Sequence, residues 1–276
     1  MKRAILALAL VALVPLTAPR AQAPAPNEAG VSAAQLYLLV KDVDASKAFW
    51  ITLGGTPAKL GPMDVIKFPG VMIILQQGEP SGGTVGSTVN HFGFVVPNVQ
   101  AIMARLTVAG LKTQAGSRPQ QGYVFTPDDL TRVEFGEDPS QTVPIAAQHI
   151  HFWVAPTGPN PGTPDDMQAW YLKVFGAKPG TFLSVTGVPT PGGSDLPGIQ
   201  LRFAKTDMPT VATKGRMLDH IGFEVHNLEA FCKKAEANGV KFDPPYTKRS
   251  KLGISQAFTV DPWGTSIELT EGMDRF

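Results

Sequence analysis

The chain carries five histidines (His91, His149, His151, His220 and His226) and one cysteine, Cys232. A single thiol excludes an internal disulfide framework and every CxxC-type zinc or redox site, so a bound metal has to be held by imidazole and carboxylate. Neutral imidazole ligates divalent ions and also titrates near neutrality, which suits it to acid-base work. Four of these histidines stand near the start of strand-like segments, and Glu134, Gln200, Arg202, Glu224 and Glu268 stand in others. Whether they form a site depends on the elements that carry them.

Those elements repeat. Four segments start alike: residues 34–40 (AQLYLLV), 90–96 (NHFGFVV), 148–154 (QHIHFWV) and 219–225 (DHIGFEV). Each alternates as a strand does. A helix-like stretch follows each one: Asp44 to Leu53, Val99 to Ala109, Asp165 to Phe175 and Leu228 to Ala237, closed by Gly54-Gly55, Gly110, Gly176 and Asn238-Gly239. Glycine there is the expected left-handed helix stop. Three short strand signals complete each unit, the last being Val71 to Gln76, Arg132 to Gly136, Gly198 to Ala204 and Thr265 to Thr270. The predicted unit is βαβββ, four times over, an α+β chain.

Side chains alternate across a strand, so each first strand has an apolar face and a polar one. Ile221, Phe223 and Val225 oppose His220, Gly222 and Glu224; Phe92, Phe94 and Val96 oppose His91 and Gly93. Ile150, Phe152 and Val154 oppose His149 and His151, and Leu36, Leu38 and Val40 oppose Gln35 and Tyr37. The last strands behave likewise, with Glu268, Gln200, Arg202 and Glu134 opposite their apolar neighbours. One face packs on helices and the other lines something polar. Pro139 to Pro144 separates units two and three, which puts a domain boundary there: residues 31–140 and 145–276, each a cup of two units with helices on its outer face. The Gly/Pro-rich stretch Thr186 to Pro197 reads as a loop or lid.

Net charge is +1 and 43% of the 276 residues are hydrophobic, so a polybasic nucleic-acid binder and a disordered chain are both excluded. Lys2 and Arg3 precede the apolar run Ala4 to Val14, the pattern of a secretory signal over residues 1–23, and the run is too short to span a membrane. Ala21-Gln22-Ala23 offers a cleavage site, although Pro24 after it is a poor context. Residues 24–30 read as a leader, and the mature protein is expected in the periplasm or outside the cell, off the membrane, as a monomer or homodimer.

The tandem βαβββ units, the recurrent His in the first strand, the Asp261-Pro262-Trp263-Gly264 turn and the following Ile267-Glu268-Leu269 resemble the vicinal oxygen chelate superfamily. That group holds glyoxalase I, extradiol dioxygenases, methylmalonyl-CoA epimerase and the bleomycin and fosfomycin resistance proteins. The resemblance covers nearly everything after residue 31. It implies that two units pair into a cup and that first-strand and last-strand residues facing inside hold a metal. For residues 145–276 the implied ligands are His149, His220 and Glu268, with Gln200 at the remaining last-strand position. The ion would be divalent, Fe2+ or Mn2+ first, with Zn2+, Ni2+ or Co2+ compatible. Residues 31–140 offer Gln35, His91 and Glu134 with apolar Ile74, a degenerate site.

His151 shares a face with His149 and reads as a catalytic base or as a wall residue. Arg202 and Glu224 read as substrate grips or as a mutual ion pair. The functional expectation is a metal-dependent enzyme that chelates a small substrate through two adjacent oxygens, most like an extradiol dioxygenase. A glyoxalase- or epimerase-type lyase or isomerase is the second reading, weakened by export because glutathione and CoA thioesters are cytosolic. A non-catalytic binder of an antibiotic-like molecule is the third.

Overall fold

The computed structural model describes residues 24–183, 187–249 and 251–276, so the signal reading of residues 1–23 and Thr186 of the lid reading lie outside the described residues. Unit one comprises β1 (Val31–Val40), α1 (Val43–Leu53), β2 (Thr56–Leu60), β3 (Met63–Phe68) and β4 (Val71–Gln77). Unit two comprises β5 (Val89–Val96), α2 (Val99–Val108), β6 (Thr113–Ala115), β7 (Gln121–Phe125) and β8 (Arg132–Glu137). Unit three comprises β9 (Ala146–Val154), α3 (Pro164–Phe175), β10 (Lys178–Leu183), β11 (Pro189–Leu196) and β12 (Ile199–Lys205). Unit four comprises β13 (Leu218–Val225), α4 (Leu228–Ala237), β14 (Thr247–Arg249), β15 (Ile254–Val260) and β16 (Ser266–Glu271). The βαβββ repeat therefore stands in all four units.

Local chemistry explains the helix ends. The side chains of Asp42, Asn98 and Thr163 cap α1, α2 and α3 by accepting from backbone N–H groups of the first turn, and Asp166 completes a capping box at α3. Gly54 and Gly176 close α1 and α3 at φ 117° and 63°, a region that favours residues without Cβ.

The units do not pair by halves of the chain. One mixed sheet runs β14-β15-β16-β13-β1-β4-β3-β2 and the other β10-β11-β12-β9-β5-β8-β7-β6. Units one and four form a terminal cup and units two and three a central cup, which corrects the division into residues 31–140 and 145–276. Pro139 to Pro144 is a turn between β8 and β9 of one sheet, where the polypeptide stays within its cup. The crossings between sheets occur in residues 78–88 and 206–217. These two segments run side by side: Thr88 N donates to Val211 O and Val211 N to Gly86 O, both at 3.0 Å, and Met217 N donates to Gly82 O at 2.9 Å. Four similar first strands present four similar edges, so the repeat cannot say which edges meet; the paired crossings decide it.

The stretch expected to be a loop also differs. Pro189–Leu196 is a strand, paired with β10 from Pro189 to Asp195 with a bulge at Gly192, and with β12 only over Gly193–Leu196. Pro189 and Pro191 thus sit where pairing is one-sided and a missing N–H costs least.

The apolar faces of both sheets and the helices share one core. Trp50 of α1 is its pin, fully buried and in ring contact with Phe68 of the terminal-cup sheet and with Phe92 and Phe94 of the central-cup sheet. Phe175 of α3 packs against Phe223 of the terminal-cup sheet and Phe231 of α4. With the apolar faces turned inward, both polar faces turn outward as cups. We expect Trp50→Ala to lower unfolding stability by about 3–5 kcal/mol, the usual cost of emptying a large aromatic site. Chemical denaturation would measure it, and a loss under about 1 kcal/mol would contradict this role for Trp50.

Candidate functional site

In each sheet the two first strands run antiparallel down the middle and are bulged at matching points. Between β5 and β9 the register skips Asn90 and Gln148, and between β1 and β13 it skips Ala34 and Asp219. Each bulge residue immediately precedes a site position: Asn90 before His91, Gln148 before His149, Asp219 before His220, Ala34 before Gln35. Simple alternation would put the bulge residues on the apolar face. The extra residue instead lets a polar side chain reach the ring beside it. Asn90 Oδ1 lies 2.8 Å from His91 Nδ1, Gln148 Oε1 3.0 Å from His149 Nδ1, and Asp219 Oδ1 2.6 Å from His220 Nδ1. These partners were missed by the sequence reading, although an amide or carboxylate before each of three histidines was a visible signal.

The central cup gathers His91, His149, His151, Glu134 and Arg202. One ring nitrogen from each of the three histidines lies within 4.8 Å of the others. Glu134 Oε2 is 2.8 Å from His91 Nε2 and 3.8 Å from His149 Nε2. Glu134 Oε1 accepts from Gln121 Nε2 at 3.0 Å and lies 3.8 Å from Arg202 Nη1. Gly93 makes the close approach possible, because a Cβ there would come within 2.4 Å of the His149 ring.

The electrostatics leave lone pairs facing inward. Arg132 Nη2 donates to Asn90 Oδ1 at 3.2 Å, which fixes that oxygen as the acceptor for His91 Nδ1–H. Gln148 takes the corresponding proton of His149, and His149 Nε2 is buried with no hydrogen-bond partner. Burial, followed by the Arg202 cation, holds His149 well below the usual imidazole range. Burial also lowers His91 against the pull of Glu134, and burial, with the repulsion of a protonated His91, takes His151 down to about 3. Burial would raise Glu134, but the positive charge that His149 and His91 carry when protonated, with the Gln121 hydrogen bond, lowers it, so carboxylate and rings together favour a proton or a cation held between them. A carboxylate facing imidazole nitrogens is a donor set that suits a divalent cation. Donors 2.8 and 3.8 Å apart fit one ion with bonds of about 2.1 Å.

The terminal cup solves the same positions differently. His220 Nε2 lies 3.1 Å from Glu268 Oε2, which also accepts from Gln35 Nε2 at 2.9 Å. Burial would lower His220, yet its contacts with Asp219 and Glu268 raise it, so a proton sits where an ion would. Ile74 occupies the remaining last-strand position. Tyr37 stacks on the His220 ring at 4.3 Å.

The expected ligand set is thus divided. His149 and Gln200 belong to the central cup, His220 and Glu268 to the terminal one, and they cannot share an ion. Gln200 is displaced by register: Glu134 pairs with Gly93, two residues past His91, and Glu268 with Gly222, two past His220. The matching residue in unit three pairs with His151, and it is Arg202. Gln200 instead donates to Thr181 O and Asp195 Oδ1 and accepts from Arg202 Nε. The supposed degenerate set also divides, since His91 and Glu134 join His149 while Gln35 stays with His220. Glu224 faces neither cup centre nor Arg202. It accepts from Thr270 Oγ1 and from the backbone of Gly272 and Met273, securing the C-terminal turn.

Residues 115–269, more than half of the chain, match the Glyoxalase/Bleomycin resistance protein/Dioxygenase superfamily, and the chain belongs to that family. A search of curated proteins finds no match. Among solved structures it is similar to glyoxalase I from Zea mays, at 14% identity and TM-score 0.65 over 89% of this chain and 94% of that one. It is also similar to a provisionally assigned dioxygenase from Bacillus subtilis, at 13% identity and TM-score 0.59 over 91% and 86%. These likenesses establish the fold.

The two cups make opposite predictions for titration. His220 should titrate above the ordinary value of about 6.5, and His149 and His151 below it, by NMR of the imidazole resonances. A raised folded value means that the His220 contribution to stability is full below about 6.5 and is lost as pH rises through the folded value. The gap in melting temperature between wild type and His220→Gln should therefore be widest near pH 6 and narrow toward alkaline pH. A gap that widens with rising pH would contradict the proton bridge.

Proposed function

We propose that the central cup holds a divalent metal ion through His91, His149 and Glu134, and that the protein is an enzyme acting there on a small, oxygen-rich substrate. The observation that carries this reading is the buried, unpartnered Nε2 of His149 facing an ionised carboxylate. Two imidazoles and one carboxylate leave open positions on the ion. When bound, the ion would supply Lewis acidity to two adjacent substrate oxygens and, as Fe2+, a place for O2.

The residues around it set the rest. Arg202 occupies the remaining last-strand position and cannot ligate; with His151, the further imidazole of the cluster, left to face the substrate, the set has three donors, which favours the extradiol-dioxygenase type over a four-ligand glyoxalase type. The neighbouring cavity, about 490 Å3, is lined by Arg202, Arg118, Phe182 and Gln148. Glu134 and Glu137 also line it; with Glu134 on the ion, the two guanidinium groups can take an anionic group of the substrate, and Phe182, under Arg202 at 5.7 Å, offers an aromatic wall. His151 is lowered to about 3 by burial, so it is neutral at working pH and can accept a hydrogen bond from a substrate hydroxyl. We propose further that residues 1–23 direct export, on the strength of Lys2, Arg3 and the apolar run after them.

Elemental analysis of purified protein tests the assignment. Wild type and His220→Ala should each carry about one ion per chain, whereas His91→Ala and His149→Ala should lose most of it, because each of three ligands provides a large share of the affinity. Metal retained by both latter variants, or lost in His220→Ala alone, would overturn the site. In Fe2+-loaded protein, Arg202→Gln should raise KM for carboxylated catechols by about tenfold or more with a smaller change for catechol itself, as expected for a lost charge-assisted contact.

A further inference from the structure

The terminal cup contains a cavity of about 280 Å3 that the metal reading does not use. Its walls are divided. Leu60, Ile74, Ile254 and Met273 form a separate apolar cluster with Met63 and Leu252 packed against it, all lining the cavity. At the floor stand Gln35, His220 and Glu268. A mostly apolar cavity with a few convergent polar groups is the usual form of a small-molecule site.

The floor chemistry states what it would take. Glu268 Oε2 is engaged twice, by His220 and Gln35, while among the described residues Oε1 has no hydrogen bond or ion pair. Gln35, only 1% exposed, also has its Oε1 buried without a partner. At Gln35 and Glu268 the floor therefore offers acceptors, with the Gln256 amide as a donor on the adjoining wall. No imidazole lone pair is free, because the His220 ring nitrogens face Asp219 and Glu268. Charge is balanced locally, with Asp219 and Glu268 against His220 and Lys214, so a charged guest would meet no counter-charge at the floor. Arg249, at the rim, is exposed and stays solvated.

We propose that the terminal cup is a second, metal-independent site that binds a neutral aromatic molecule bearing a hydroxyl or N–H donor, with the ring against Ile74, Met63 and Leu252 and the donor on Glu268. The site goes beyond the metal reading and does not depend on it.

Calorimetric titration of the full chain with 2-naphthol tests the proposal, with 2-methoxynaphthalene as the probe that lacks the donor. Binding should be one to one, unaffected by EDTA, and about tenfold or more weaker for the methyl ether, the usual effect of a hydrogen bond to a charged group. Met63→Trp, which fills the cavity from a half-exposed position, should abolish binding, and Arg202→Gln should leave it unchanged. Glu268→Leu keeps the apolar wall and should bring the two probes to similar affinity, so the ratio remains readable even where Met63→Trp folds poorly. Absence of saturable heat up to about millimolar probe, equal affinity of the two probes for wild type, or binding lost in Arg202→Gln but retained in Met63→Trp would each overturn the proposal.

Discussion

Everything chemical in this protein depends on one seam, the antiparallel pairing of first strands in the middle of each sheet. Backbone hydrogen bonds along β5 and β9 bring His91 and His149 to one cup, and those along β1 and β13 bring Gln35 and His220 to the other. A slip of one residue would turn each histidine into the apolar core. The bulges at Asn90, Gln148 and Asp219 refine the seam by seating a polar side chain against each ring. That neighbour fixes which nitrogen carries the proton, and so which lone pair looks inward. Asn90 and Gln148 leave lone pairs for a cation, whereas Asp219 calls a second proton onto His220.

The two cups are thus variations on one arrangement of strands. In the central cup, neutral rings surround a carboxylate held ionised, with Arg202 as the nearby fixed cation. In the terminal cup, carboxylates on both sides of His220 convert the ring into the cation, and apolar Ile74 completes the wall. The contrast arises from a few side chains on backbones of equal register. It explains how one chain can pair a metal-type site with a donor-seeking apolar cavity.

The core makes this division stable. Trp50 touches both sheets, and Phe175 ties α3 of the central cup's unit three to Phe223 of the terminal sheet, so neither cup can move far without disturbing the other. The two crossing segments bond to one another beside this core and tie the order of units to its packing.

Much was legible from the residues alone. Alternation with period two and glycine-stopped helices determine the βαβββ unit, because both are local consequences of backbone geometry. The same alternation assigned His91, His149, His151 and His220 to polar faces. Partner choice was not legible. Residues 31–140 and 145–276 each hold two complete units, and nothing local in a strand says which distant edge it will meet. Consequently His149 and His220 could be grouped on paper although hydrogen bonding assigns them to different sheets. Gln200 was chosen over Arg202 for a related reason: parallel register between β9 and β12 is a property of paired backbones, absent from either strand alone. Sequence determined the unit and the face, since those follow from neighbouring residues; tertiary structure decided the pairing, the register and therefore the site, since those follow from contacts between segments far apart in the chain.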